Sequence, residues 1–264
     1  LDPLRRNNVE VSGAGPRTVV FSHGFGCDLN AWDDVAPAFE AGSRVVRFDL
    51  VGSGLSDPTA YDPAKYASLD GYAEDVVEIA AALALEQAVF VGHSVSAMIG
   101  MLAALRAPGR FGAMVMLCPS PCYIDDGDYV GGFSRSDIDD LLEVIDSNFL
   151  RWSRSSAPAI MGNAERPALG RELSESFART DPDIARAFAR VTFLSDVRAE
   201  LPRLTLPTLI LQTKQDMIAP LQVGAYMHAA LPHGELVVMD ATGHCPHMSA
   251  PEQTVAAIRR YLGF

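Results

Sequence analysis

No stretch of this 264-residue sequence is apolar over the length a membrane helix requires, and the opening LDPLRRNNVEV lacks the hydrophobic run of a secretory signal. Cysteine is scarce: Cys27, Cys118, Cys122 and Cys245 are too few and too scattered for a disulfide framework, so free thiols are expected. Basic residues are in deficit, 21 Lys and Arg against 33 Asp and Glu, and the net charge of −12 argues against a nucleic-acid surface. Internal repeats, low-complexity tracts and a break in composition that would separate two domains are also missing. These absences predict a cytoplasmic protein with neither membrane nor nucleic acid as partner, acting on a small molecule or another protein. What the chain does have is 48% hydrophobic residues, ample for one sizeable core.

The most informative stretch is AVFVGHSVSAMIG, Ala88 to Gly100. It reads as a buried strand, a reversal centred on Ser94, and the first turns of an apolar helix. Such a corner projects the serine hydroxyl beside a helix N-terminus. Small residues are needed on both sides because two backbones pass closely, and Gly92 and Ser96 supply them, with serine where a second glycine is usual. Taken alone, Ser94 reads equally well as a helix N-cap.

Taken in order, Val9 to Val11 and Thr18 to Ser22 read as a hairpin leading into a buried strand that ends in HGFG. Ala31 to Phe39 reads as a helix, Arg44 to Phe48 as a second buried strand, and Leu69 to Leu85 as an amphipathic helix. The elbow strand and its helix follow, then a strand from Ala113 to Leu117, stopped by the prolines of CPSPC. This alternation predicts an α/β fold with a mostly parallel, doubly wound sheet. Between Pro119 and Pro202 the pattern changes to helices alone, Ser136 to Phe149, Pro167 to Arg179 and Pro182 to Leu194, which predicts an inserted helical lid. The sheet pattern then resumes with strands Thr208 to Gln212 and Glu235 to Met239 and helices Pro220 to Ala230 and Pro251 to Tyr261. The expected division is a core of residues 1–120 and 200–264 with a lid of residues 121–199, inserted in a single domain.

Functional side chains in such a sheet sit just after the strands. Asp216 follows one late strand and His244 follows the next. Singly, Asp216 reads as a cap for the helix near Pro220 and His244 as a hydrogen-bonded loop histidine. Jointly, in the order Ser94, Asp216, His244 and on these loops, they read as a catalytic triad. The chemistry needs all three, because a neutral hydroxyl is a poor nucleophile until an imidazole takes its proton and a carboxylate orients that imidazole. An oxyanion hole needs two backbone donors, assigned to Phe25 in HGFG and to Val95 after the nucleophile. Phe25 would also wall a substrate pocket, completed by Phe133, Trp152 and Phe193, while other lid aromatics pack helix on helix. His23 and His93 are expected to hydrogen-bond near strand ends, and His247 to support His244. GHCPH offers H-x-x-H and a thiol, but four ligands are wanted and no second pair is placed to complete them, so neither metal nor other cofactor is expected.

With the elbow, HGFG, LDGYAEDV, PSPCYIDDGDYVGGF, IAPLQVGAYMH and GHCPHMS in view, the chain resembles, nearly end to end, the RsbQ group of α/β-hydrolases. That group spans bacterial stress-response regulators and plant strigolactone and karrikin receptors. The resemblance implies an α/β-hydrolase fold under a four-helix, V-shaped lid, with Ser94, Asp216 and His244 as triad and Phe25 and Val95 as oxyanion amides. It further implies slow hydrolysis of a small ester or lactone coupled to signalling. Two functions follow as expectations: a serine hydrolase cleaving a small apolar carboxylic ester or lactone, or a ligand-sensing module in which turnover is slow or incidental and a signalling protein partner is reached through the lid. Epoxide hydrolases and haloalkane dehalogenases of similar fold place a carboxylate where this chain has Ser94; perhydrolase and C–C hydrolase chemistry remain compatible with it.

Overall fold

The computed structural model describes residues 1–263. Seven strands form one sheet: β1 (Glu10–Ser12), β2 (Arg17–Ser22), β3 (Ser43–Phe48), β4 (Ala88–His93), β5 (Phe111–Leu117), β6 (Thr208–Gln215) and β7 (Gly234–Thr242). Their spatial order is β1-β3-β2-β4-β5-β6-β7, and all neighbours are parallel except the β1–β3 pair at one edge. The expected hairpin between the first two strands does not form. Val11 pairs with Val46 of β3, because β2 has β3 on one side and β4 on the other and so offers β1 no free edge.

Nine helices accompany the sheet among the described residues: α1 (Pro3–Arg6), α2 (Leu69–Ala82), α3 (Val95–Arg106), α4 (Arg135–Met161), α5 (Pro167–Ala178), α6 (Pro182–Phe193), α7 (Leu221–Ala230), α8 (Pro246–Ser249) and α9 (Pro251–Leu262). The helix expected over Ala31 to Phe39 is instead two short 3-10 turns, Leu29–Trp32 and Ala36–Phe39. Pro37 in the second turn has no N–H to continue an α-helical ladder from the first. Strand periodicity sends alternate side chains of β4 to opposite faces. Phe90 packs with Tyr72, Ile79 and Met98 under α2 and α3, whereas Val89 and Val91 pack with Phe21, Trp32, Phe39 and Ile258 on the side of the 3-10 turns and α9.

The helical insertion between β5 and β6 carries α4, α5 and α6 and its own apolar cluster. Helix α4 starts with a capping box in which Asp137 N donates to Ser134 Oγ (3.1 Å) and Ser134 N donates to Asp137 Oδ2 (2.8 Å). It runs past the expected end at Phe149, but its path is broken at Asn148, whose backbone (φ −163°, ψ 88°) is extended. A few polar ties fasten the insertion to the core: Asp181 N to Gly52 O (3.0 Å), Arg179 to Asp28 (2.6 Å), and His244 N to Ile160 O (2.9 Å). No helix among the described residues is long and apolar enough to cross a membrane.

Candidate active site

Ser94 stands at the turn from β4 into α3 with φ +56° and ψ −126°, a strained backbone for a residue with a side chain. The turn is held by Ser94 N donating to Leu117 O of β5 (2.8 Å). Gly92 is obligatory here, since a Cβ on it would lie 2.7 Å from the backbone of Ser96 and Ala97. Ser96, the departure from the usual glycine, is put to use: its hydroxyl donates to His23 O and accepts from Ser22 Oγ (3.0 Å), tying the elbow to the loop after β2.

The register of the sheet brings the other two residues to the same edge. Asp216 follows β6 and His244 follows β7, whose ends are paired through Gln215 and Thr242. Asp216 Oδ2 lies 2.8 Å from His244 Nδ1, and His244 Nε2 lies 2.8 Å from Ser94 Oγ. Asp216 also holds the following turn, its Oδ1 accepting from Ile218 N (2.8 Å) and Ala219 N (3.1 Å), while the helix that begins after Pro220 has no side-chain cap. The amides of Phe25 and Val95 meet no protein acceptor among the described residues; that of Val95 opens α3, where the helix dipole favours negative charge.

Behind His244 lies a buried set of imidazoles. His93 Nε2 donates to His244 O (2.8 Å), and burial together with its histidine neighbours holds His93 well below the usual histidine range. His247 does not bond to His244: its ring packs 4.3 Å from His93 and 4.6 Å from Trp32, and burial pulls it down to about 3. His23 accepts Leu50 N at Nε2 (3.0 Å) and donates from Nδ1 to Gly24 O (2.9 Å). The compact donor set is not the H-x-x-H pair but Cys118, Asp216 and His244, whose ligand atoms lie within 4.8 Å of one another. There the carboxylate and imidazole already bond to each other, and burial keeps the Cys118 thiol protonated.

Above Ser94 is a cavity of about 120 Å³ with an almost wholly apolar wall. Phe25, Phe133, Trp152 and Phe193 all line it. Phe25 is the hub of the roof, with the rings of Phe149, Trp152, Phe177, Phe188 and Phe193 at 5.8–6.3 Å. Of the aromatics left to helix packing, Phe188 turns to Tyr72 (4.5 Å) beneath the insertion, whereas Phe177 also reaches the cavity. It seats against Gly26, where a Cβ would fall 1.8 Å from its ring. Cys27 and Cys245 line the wall as buried thiols, and burial pushes Cys27 up to about 12. Sequence reasoning missed Tyr123, which lines the cavity with its hydroxyl 3.5 Å from Ser94 Oγ. Its position between the CPSPC prolines and the insertion was the one available signal.

The chain is 37% identical to a strigolactone esterase of Arabidopsis thaliana over 98% of this chain and 97% of that one. It is equally similar, at 37% over 97% and 95% of the two chains, to a karrikin insensitive 2 receptor of Petunia hybrida. The solved structure of a hydrolase from Oleispira antarctica matches with a TM-score of 0.96 and 40% identity, covering 99% of this chain and 96% of that one. The family model for the alpha/beta hydrolase fold matches residues 17–251, and with the sheet order, the elbow and these relatives in agreement, the chain belongs to the alpha/beta hydrolase fold family.

Proposed function

We propose that the protein hydrolyses a small, apolar carboxylic ester or lactone through an acyl-serine intermediate. The observation that carries this reading is the continuous path from Asp216 Oδ2 through His244 to Ser94 Oγ, two contacts of 2.8 Å, opening onto an apolar cavity. Ser94 Oγ attacks the carbonyl carbon while its proton passes to His244 Nε2, and the imidazolium is stabilised by Asp216. The charge developing on the carbonyl oxygen is met by the free amides of Phe25 and Val95, the largest single contribution expected in acyl transfer. His244 then returns the proton to the leaving oxygen, and water repeats the sequence to release the acid. No step calls for a cofactor. The small cavity, well under the several hundred Å³ of a drug-sized pocket, favours short acyl groups or compact lactones. The roof of residues 121–199 acts as the lid that selects them. The esterase and hydrolase names of the relatives support the same reaction class.

A second reading, a ligand-sensing module that signals to a protein partner through the lid, is favoured by the His244 N to Ile160 O bond (2.9 Å). Through it the base and the end of α4 share a backbone contact, so occupancy at Ser94 acts on the insertion directly. The test is pre-steady-state hydrolysis of p-nitrophenyl acetate with intact mass spectrometry of the quenched protein. A burst, an acetyl adduct missing from Ser94→Ala, and rapid turnover are expected for the hydrolase. A long-lived adduct, with ligand-dependent thermal stabilisation that survives Ser94→Ala, points to the sensor. No burst and no difference from the variant would refute the triad mechanism.

A further inference from the structure

Ser94 has a neighbour that the triad does not use. The Tyr123 hydroxyl lies 3.5 Å from Ser94 Oγ, and no other protein group bonds it among the described residues. Counting protons settles its direction. His244 donates from Nδ1 to the Asp216 carboxylate, so its Nε2 accepts, and the single Ser94 proton goes to Nε2. Only lone pairs remain on Ser94 Oγ for Tyr123, which must donate. The phenol stays able to do so, because burial pushes its ionisation up to about 12.

The residue is also held in place. Pro119 and Pro121 restrict the backbone between the end of β5 and Tyr123. Its carbonyl accepts Phe133 N (3.2 Å), and its ring meets Phe193 edge-on at 5.1 Å. A buried hydroxyl in an otherwise apolar wall, with one long and weak contact, is underused in the resting site.

Building on the hydrolase mechanism above, we propose that Tyr123 is a catalytic residue that donates its O–H hydrogen bond to the leaving-group oxygen as the tetrahedral intermediate collapses. When Ser94 Oγ bonds to the carbonyl carbon, the leaving oxygen is attached to that same carbon, next to the position where Tyr123 now meets Oγ. As the carbon–oxygen bond breaks, its electron pair goes to the leaving oxygen and the proton comes from His244 Nε2. Tyr123 keeps its own proton throughout and serves to steady the departing charge and aim it at His244. The assistance matters for alkoxide leaving groups, including the ring oxygen of a lactone, and little for a nitrophenolate, which departs readily unaided.

The experiment compares kcat/KM of the wild type and Tyr123→Phe over a series of acetate esters from p-nitrophenyl through phenyl to ethyl, with γ-butyrolactone as a cyclic member and Ser94→Ala as control. For Tyr123→Phe the expected result is a change within about twofold on p-nitrophenyl acetate and a loss of roughly 10–100-fold on ethyl acetate and the lactone, a steeper dependence on leaving-group basicity. An equal loss on every ester, or no loss on any, overturns the inference while leaving the triad intact. Hydrolysis of the whole series by Ser94→Ala would overturn the triad mechanism and this inference with it.

Discussion

The floor of the cavity and its roof are held by different forces. On the floor, Ser94, Asp216 and His244 each stand at a strand end and are fixed by bonds of definite direction: the Ser94 amide to Leu117 O, the 218 and 219 amides to Asp216, His93 Nε2 to the His244 carbonyl. On the roof, Phe25 is surrounded by five rings of the insertion at 5.8–6.3 Å, contacts that are individually weak and only loosely directional. The floor therefore tolerates almost no change without losing its chemistry, whereas the roof can be altered by degrees.

The sharpest break in that comparison comes on the floor. Ser94→Ala is expected to lower ester hydrolysis by roughly 10⁴-fold or more while shifting the thermal midpoint by only a few degrees, read by esterase assay beside calorimetry. A midpoint collapse instead would mean the elbow serine is structural.

Acidification tests the floor's support. His93 and His247 are held below the unfolded histidine value of about 6.5, so the unfolded chain binds protons first as pH falls. Their contribution to stability is complete above pH 6.5 and declines below it as the unfolded chain takes up protons that the folded rings refuse, down to about 3 for His247. Urea midpoints measured from pH 7.5 to 4.5 should fall with that decline; a flat profile would show that these rings are solvated in the folded state.

At the seam between floor and roof, Gly26→Ala is expected to cost about 2–4 kcal/mol in urea unfolding. Its φ of +74° disfavours a side chain, and the added methyl would meet Phe177 at 1.8 Å. The smallest effect is expected for Arg179→Ala. The Arg179–Asp28 pair joins α5 to the loop after β2, but the arginine is half-exposed and solvent screens it, so on the order of 1 kcal/mol is lost. Because that loop carries Phe25, its loosening should raise KM more than it lowers kcat; the reverse would mean that the pair steadies the oxyanion amide instead.

What the sequence by itself determined is the part of the molecule written in short-range pattern. Alternating strands and helices specify a parallel sheet, a strand-to-helix turn around Ser94 specifies the elbow, and the positions after β6 and β7 single out Asp216 and His244, because a parallel sheet gathers its strand ends at one edge. Even locally, Pro37 stopped an expected helix, and β1 chose β3 over β2 for want of a free edge. Tertiary structure alone decided which insertion side chains look into the cavity. Phe133, Phe149, Trp152, Phe177, Phe188 and Phe193 are chemically similar in the sequence, and their division between wall and packing follows from how α4, α5 and α6 cross the core and where Asn148 breaks α4. It also decided that His247 faces Trp32 rather than His244, and that Tyr123 meets Ser94, 29 residues away along the chain. Strand and helix preferences act over a few residues, whereas contacts between elements depend on crossing angles and packed volumes that no local window contains.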